Sequence, residues 1–552
     1  MQSHTSDSWG TWPRAVAIAG VVGVGGALGY YYYARSTSTK TEKGQDTPIN
    51  ADEWKKQGNS WFREKNYDKA LECFQKAIDV IGEDSELKSL CYQNCAAVYD
   101  MKEDFNACLE ACTNALRINP RYAKALHRRS KCYNKLGAGR ESLEDEIAAC
   151  AVEKKTLSAP HCQQILTSSA VSAVEARRSR NYKVPISPTY IENWAFYSFE
   201  RDPAVSLMKS ASSEGNDRLF AECFQKVKSG DVNELLDLIL PETQSEDSPF
   251  LLESLLFAAR LYFHHGCLED AHRCLNRCDK LWEDAGEEQR SKWTDHRVSE
   301  LILRFELARE PSVGKSFLTK AAALDSTNRD MYIAEALHAL ENNDYESALS
   351  AFEKANDESK ENYCVSSHIK FIRGLKAFIN SDMAGINSTV LEMESYAERI
   401  GETYPLIHMF LGRIYSMCNA KDQAVNQFKK AEAFMPKSAE LALLRASLEL
   451  SADQASVEFS KAIEMMESVA DMDPNYGPTF AILARLYMQS SQYDKAIEAF
   501  DRGLAVIANL QMFFVLYMER TMLAKSLEIA KRLNVPVEDV VTDVMGSSAL
   551  LS

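Results

Sequence analysis

A chain of 552 residues is too long for a single hydrophobic core, so we expect it to fold as two or more units. Its composition, with 45% hydrophobic and 26% charged residues, is that of an ordinary soluble protein. The net charge of −16 and the sequence pI of about 5.3 argue against general nucleic-acid binding, and the 14 scattered cysteines favour reduced thiols in the cytosol.

One segment near the N-terminus, residues 15–34, interrupts this pattern because it contains no charged side chain. Its 20 residues are about what a helix needs to cross a bilayer core of roughly 30 Å. More cationic residues follow the segment than precede it, which places the bulk of the chain in the cytosol by the positive-inside rule. We therefore predict a short tail outside the cytosol (1–14), a transmembrane anchor (15–34) and a flexible stalk (35–50). A cleaved secretory signal is the alternative, but no convincing cleavage site follows the segment.

A periodic pattern of small and aromatic residues begins at residue 51. It matches the tetratricopeptide (TPR) consensus, in which small residues allow two helices to approach and aromatic residues fill the gaps between them. Two similar units follow, and together they predict an N-terminal TPR block over residues 51–155. The matching positions of the first unit are Trp54, Gly58, Trp61, Ala70, Phe74 and Ala77.

The pattern fades in a helical and proline-bearing connection, residues 156–215. Three prolines lie within residues 181–203, which predicts either a linker or a docking strap. Repeats then resume, and we predict a C-terminal TPR block over residues 216–545. Units in this block are centred on Ala259, Ala271 and Cys278; on Ala336, Ala348 and Phe352; on Gly412, Ala424 and Phe428; and on Ala484, Ala496 and Phe500. The fold class is therefore an all-α TPR superhelix in two blocks, with seven to eleven repeats.

Five polar residues lie outside the packing positions on the first helices of the three N-terminal repeats, namely Lys55, Asn59, Asn94, Lys124 and Arg128. The first helix of each repeat lines the concave side of a TPR superhelix, so these side chains should face one groove. Arginine matches a carboxylate with a planar fork, lysine supplies a mobile charge, and asparagine donates hydrogen bonds. A solvated charged face explains any one of these residues. The set of five predicts a site for a small, doubly negative ligand.

At these residues the chain resembles the carboxylate-clamp TPR domains of co-chaperones. The whole chain resembles the large TPR import receptors of the mitochondrial outer membrane, which belong to the TOM translocase. The resemblance includes the anchor, the stalk, both repeat blocks and the segment ISPTYIENWAFYSF. The motifs that carry it are Lys55-x-x-Gly58-Asn59, Tyr92-x-Asn94-x-Ala96-Ala97 and Lys124-x-x-x-Arg128-Arg129.

The resemblance implies a mechanism and a location. The five positions would hold the terminal carboxylates of the Glu-Glu-Val-Asp tail of heat-shock chaperones of the seventy- and ninety-kilodalton classes. The C-terminal block would bind internal targeting signals of mitochondrial precursor proteins at residues that the sequence leaves unknown. Other TOM subunits would be partners, and the receptor would be a single-pass protein of the outer membrane. A chaperone-docking scaffold on another membrane, such as the endoplasmic reticulum, is the alternative.

Other motifs do not support catalysis or a cofactor. The His264–Cys278 region is rich in histidine and cysteine, but it lacks the paired C-x2-C spacing of a zinc site. Val313–Ser316 resembles the end of a phosphate-binding loop, yet the required glycine and preceding strand are missing. We therefore predict no metal, no cofactor and no enzymatic activity.

Overall fold

The computed structural model describes residues 50–82, 85–157, 160–179, 183–308, 310–357, 360–451 and 459–545. All regular elements in these ranges are helices and none is a strand, which confirms the predicted all-α TPR architecture there. None of these helices combines the length and the hydrophobicity needed to cross a bilayer. The predicted tail, anchor and stalk (1–14, 15–34 and 35–50) lie outside the described residues, apart from the last residue of the stalk.

The chain divides into two compact units, one ending at Ile81 and one beginning at Gly82. The described part of the first unit is a single helical hairpin made of α1 (Ala51–Arg63) and α2 (Tyr67–Val80). The hairpin starts at a capping asparagine, because the Asn50 side chain accepts a hydrogen bond from a first-turn backbone N–H at 3.3 Å.

Close packing inside this hairpin explains the glycine of the repeat pattern. A Cβ atom added at Gly58 would lie 2.5 Å from Cε1 of Phe74, so only glycine fits against the ring in this position. Phe74 is 1% exposed, and Ala70 and Ala77 are fully buried beside it. The small and aromatic residues of the pattern therefore mark the places where the two helices touch.

The second unit begins with two further hairpins and a long helix, namely α3 (Glu86–Met101), α4 (Phe105–Ile118), α5 (Ala123–Lys135), α6 (Gly139–Glu153) and α7 (Pro160–Ser179). Small and sulfur-containing side chains fill the contacts between these helices, since Ala96, Cys108 and Cys112 are fully buried. The buried hydroxyls of Ser130 and Ser142 lie 3.1 Å apart across the α5–α6 hairpin. The cysteines thus act as small packing residues between the helices.

The proline-bearing connection packs into the second unit as a strap, which we define as residues 183–199. It contains α8 (Pro188–Asn193) and a π-helical turn (Trp194–Ser198). Ile191 is fully buried and Trp194 is 5% exposed, so the strap contributes side chains to the core.

Hydrogen bonds fasten the strap at several points, two of which lie near its start. The Val184 N–H donates to the carbonyl of His265 at 2.9 Å. The hydroxyls of Ser187 and Thr189 donate to one carboxylate oxygen of the buried Asp473, at 2.6 and 2.9 Å. Of the two alternatives that the sequence raised, the structure therefore has a docking strap rather than a free linker.

The remaining helices of the second unit are α9 (Pro203–Ser210), α10 (Arg218–Ser229), α11 (Leu235–Gln244), α12 (Leu251–His264), α13 (Leu268–Asp284), α14 (Glu287–Lys292), α15 (Thr294–Leu307), α16 (Pro311–Leu324), α17 (Asp330–Glu341), α18 (Tyr345–Ala355), α19 (Tyr363–Ile379), α20 (Met383–Ile400), α21 (Leu406–Met417), α22 (Lys421–Phe434), α23 (Ala439–Ser451), α24 (Phe459–Met472), α25 (Gly477–Gln489), α26 (Tyr493–Val506), α27 (Leu510–Leu533) and α28 (Val537–Met545). The four predicted repeat units are the hairpins α12–α13, α17–α18, α21–α22 and α25–α26. Three further hairpins, α15–α16, α19–α20 and α23–α24, have the same arrangement without the clear pattern.

The last two helices return to the start of the second unit, where α27 packs against α6 and α7 and α28 packs against α6. We call this contact the seam. Its core combines Leu143, Ile147 and Cys162 from the early helices with Ile529 and Leu533 from α27. The N-terminal and C-terminal blocks therefore share one hydrophobic core within this unit.

Polar contacts add to the seam. The guanidinium of Arg121 donates to the backbone carbonyls of Leu533 and Asn534, at 2.8 and 2.6 Å. The ammonium of Lys525 lies 2.6 Å from a carboxylate oxygen of Glu144. These contacts join residues about 400 positions apart in the sequence.

Candidate carboxylate-binding site

In the first unit, Lys55 and Asn59 lie one turn apart on α1. The Lys55 ammonium is 2.7 Å from one carboxylate oxygen of Asp52, and Lys56 is 3.0 Å from the other. These two hydrogen-bonded ammonium groups hold the pKa of Asp52 below its ordinary value. The Asn59 side chain is half-buried. Lys55 therefore already forms an ion pair with Asp52, and an incoming anion would have to compete with that carboxylate.

In the second unit, α3 carries Asn94 and α5 carries Lys124 and Arg128. These two helices pack against each other. Lys124 is exposed, whereas Asn94 and Arg128 are half-buried. Because Lys124 and Arg128 are four residues apart, they share one face of α5. The structure thus places two predicted cations on one helix face, next to the helix that carries a predicted amide.

The guanidinium of Arg128 has hydrogen-bond donors without acceptors. Its Nε and Nη1 atoms are buried, and neither finds a hydrogen-bond partner among the described residues. An oxygen of Asp100 lies 3.6 Å from Nε, which is an ion-pair distance but too long for a hydrogen bond. Buried unpaired donors raise the free energy of the folded protein, more so when they are charged. An anion that reached Arg128 would relieve this cost.

The neighbouring Arg129 has the opposite environment. It forms a bidentate pair with Asp145, at 2.6 Å from Nε and 2.8 Å from Nη2, and Asp145 is only 2% exposed. Arg129 therefore links α5 to α6, and the two donors on this edge of its guanidinium are already hydrogen-bonded to Asp145. Of the two consecutive arginines, only Arg128 is suited to a ligand.

A histidine and two carboxylates that sequence reasoning missed lie beside these residues. The Nδ1 atom of His127 is 3.1 Å from both oxygens of Glu146, and its Nε2 atom is 3.5 Å from Glu153. The hydrogen bond with Glu146 is the main reason why the pKa of His127 is raised above its ordinary value. The spacing of seven residues between the two glutamates, which puts both on one face of α6, was the signal available in the sequence.

The predicted site is distributed over both units. Lys55 and Asn59 belong to the first unit, and Asn94, Lys124 and Arg128 belong to the second. The structure brings together the three residues of the second unit on adjacent helices. A single groove formed by all five stays a prediction.

The C-terminal block contains acidic and aromatic side chains around the strap. The rings of Tyr190 and Tyr476 lie 5.4 Å apart, and the Asn193 amide donates to Glu440 at 3.3 Å. Burial raises the pKa of Glu440 and of Glu341. A separate cavity of about 340 Å³ lies between α24, α25 and α26, and its charged lining residues are Glu467, Asp471, Lys495, Glu498 and Arg502.

The histidine- and cysteine-rich region of α12 and α13 has packing roles. His265 fastens the strap, because its Nδ1 atom lies 2.5 Å from the carbonyl of Val184. Cys278 is buried in a core of leucines, at the small-residue position that the repeat pattern assigned to it. No group of three histidine, cysteine or acidic side chains within the described ranges has the geometry of a metal site.

Comparison with known proteins gives two matches to tetratricopeptide-repeat models, at residues 51–82 and 455–511. The chain is 23% identical to the human mitochondrial import receptor subunit TOM70 over 471 residues, which cover 82% of this chain and 75% of that protein. It is 38% identical to the heat shock protein STI1 of Saccharomyces cerevisiae over 110 residues, or 20% of this chain and 17% of that protein.

Among solved structures, the crystal structure of yeast Tom70 aligns with 88% of this chain and 99% of that chain, at 19% identity and a TM-score of 0.45. The sequence relatives confirm the resemblance that the motifs indicated. Over most of its length, this TPR chain is therefore similar to proteins named as the mitochondrial import receptor subunit TOM70.

Proposed function

We propose that this chain is a receptor on the mitochondrial outer membrane that docks cytosolic chaperones and receives the precursor proteins they carry. The acidic C-termini of heat-shock chaperones of the seventy- and ninety-kilodalton classes bind at Lys55, Asn59, Asn94, Lys124 and Arg128. The precursors carry internal targeting signals and pass to the pore through other subunits of the TOM translocase. The role is that of a receptor, without a catalytic step or a cofactor.

The guanidinium of Arg128, which lies at ion-pair distance from Asp100 but has donors without hydrogen-bond acceptors, is the observation that carries this proposal. Two of its donors are buried and lack acceptors, and the exposed Lys124 lies one turn away on the same helix. A terminal carboxylate matches this arrangement in charge, because its oxygens accept charge-assisted hydrogen bonds from guanidinium and ammonium donors.

Two groups of relatives support a receptor that combines precursor import with chaperone docking. One is named as a mitochondrial import receptor subunit and the other as a heat shock protein. The C-terminal block contains none of the five clamp residues, and the resemblance to import receptors is the reason for assigning precursor binding to it.

A chaperone-docking scaffold on another membrane, such as the endoplasmic reticulum, is the alternative. It would use the same clamp residues, so peptide binding does not separate the two functions. The two functions differ in the membrane to which the N-terminal segment would target the chain.

The test is a titration of the full-length chain with a fluorescent peptide ending in Glu-Glu-Val-Asp, followed by anisotropy. Arg128→Ala should weaken binding by about 2–5 kcal/mol, which is at least about thirtyfold, because the peptide carboxylate would lose its buried partner. Lys135→Ala is the matched control, since it removes an exposed cation at the end of the same helix.

A peptide with an amidated C-terminus should bind weakly to the unsubstituted chain. Retained affinity after Arg128→Ala, or equal binding of the amidated peptide, would refute the hypothesis that the site binds the terminal carboxylate of the peptide. An equal loss with Lys135→Ala would show that only the general charge of α5 matters.

A further inference from the structure

A carboxylate lies beside the candidate anion site. Asp100 follows Asn94 by six residues on α3, and its side chain is 15% exposed. It faces α5, where Arg128 and Lys131 both approach it. Neither the repeat pattern nor the resemblance assigns a role to Asp100 or to Lys131.

The two cations hold this carboxylate unequally. The ammonium of Lys131 lies 2.8 Å from one oxygen and 3.1 Å from the other, so it engages both. The Nε atom of Arg128 remains 3.6 Å from the carboxylate and makes no hydrogen bond to it. A shift of less than about 1 Å would close that gap to the usual length of a charged hydrogen bond.

We propose that Asp100 is an internal competitor for Arg128 and that Lys131 keeps it away, so that this pair sets the affinity of the site for a carboxylate ligand. The proposal rests on the proposed function, because the ligand is the same acidic chain terminus. Asp100 and Lys131 are positioning residues that act through Arg128.

Two physical arguments indicate that Asp100 competes with the ligand for Arg128 rather than holding the Arg128 guanidinium in place. A carboxylate that braced Arg128 would hydrogen-bond to it, and the buried Nε and Nη1 atoms have no such bond. A fixed negative charge next to Arg128 also repels the carboxylate of a ligand at short range, where screening by salt is weakest. Lys131 offsets that charge and fixes its position.

The test uses the full-length chain and the fluorescent Glu-Glu-Val-Asp peptide. Asp100→Asn removes the competing charge at constant size and should tighten binding about three- to tenfold. Lys131→Gln releases Asp100 towards Arg128 and should weaken binding by a similar factor. The double variant Asp100→Asn with Lys131→Gln should bind at least as tightly as the unsubstituted chain, because the competitor is gone.

This rescue separates a positioning role from general damage to the fold, which a second substitution would not repair. Tightening by Asp100→Asn should also disappear with the amidated peptide, because no terminal carboxylate is then present. Thermal unfolding of each variant controls for stability.

Several outcomes would overturn the proposal. Weaker binding after Asp100→Asn would show that Asp100 braces Arg128. A double variant as weak as Lys131→Gln would show that Lys131 contacts the peptide directly. Unchanged binding after Asp100→Asn overturns this inference alone, whereas failure of the unsubstituted chain to bind the peptide overturns the proposed function and this inference together.

Discussion

Two consecutive arginines on α5 show how strongly the surroundings of a residue decide its role. Arg129 is locked in a bidentate pair with the buried Asp145, while Arg128 retains two buried donors without acceptors. Successive side chains on a helix point about 100° apart, so Arg129 faces α6 and Arg128 faces α3. The chemical type of the two residues is identical, and only their partners distinguish a structural arginine from a candidate ligand-binding one.

His127, which precedes this pair, should make stability depend on pH. Its folded pKa is raised, chiefly by Glu146, so its contribution is fully present below the unfolded pKa of about 6.5 and is lost as the pH rises through the folded pKa. The melting temperature of the unsubstituted chain should therefore exceed that of His127→Gln most clearly near pH 6, and the gap should narrow towards pH 9. A gap that stays constant or widens with pH would contradict this assignment.

At the scale of helices, the seam joins the last described helices to the helix that follows the candidate clamp helix α5. The helix that follows the clamp helix α5, namely α6, shares its core with α27 and α28. The carboxylate of Asp145 on α6 accepts hydrogen bonds from Arg129 on α5, and the guanidinium of Arg532 on α27 lies 3.7 Å from the same carboxylate. The third N-terminal repeat, which carries two of the candidate clamp residues, is therefore supported by the last two helices of the described residues.

Ile529→Ala should test this support, because Ile529 is fully buried in the seam core. Truncating such a side chain leaves a cavity and typically costs about 2–5 kcal/mol. We expect faster amide hydrogen exchange in α6 as well as in α27, measured by mass spectrometry. Lys531→Ala, an exposed position on the same helix, is the control. Changes confined to α27 would show that α6 is stable without the seam.

For the whole molecule, the N-terminal segment is predicted to set the membrane on which the proposed receptor works. Residues 15–34 contain no charge, and the cations that follow them predict a cytosolic location for the repeats. A segment of moderate hydrophobicity with few flanking cations favours the mitochondrial outer membrane. Because the net charge is −16, the proposed binding of acidic chaperone tails would depend on local cations rather than on the overall charge.

A fluorescent reporter carrying residues 1–50 should therefore label mitochondria in cells, and alkaline extraction should leave it in the membrane fraction. The same reporter with residues 15–34 removed is the control and should be released. Labelling of the endoplasmic reticulum alone would favour the alternative scaffold.

Much of the fold follows from local patterns, and the exceptions have physical causes. The hairpin α19–α20 lacks the clear pattern because its close contact lies with the next repeat: a Cβ atom at Gly374 would be 2.6 Å from Cδ1 of Ile414 on α21. The hairpins at Gly58 and Gly412 were recognised because their glycines meet an aromatic ring within the same hairpin, Phe74 and Phe428. A consensus pattern detects the second kind of contact and misses the first.

The helical repeats, the helix that carries each clamp candidate and the likeness to import receptors can be predicted from the amino-acid sequence, because helical periodicity and motif spacing are local properties. Tertiary structure alone decided which arginine keeps unpaired donors, how the strap is fastened to Asp473 and how α27 supports α6. These contacts join residues such as Arg121 and Leu533, which are 412 positions apart. No local pattern encodes such a pairing, since it depends on the path by which the whole chain returns.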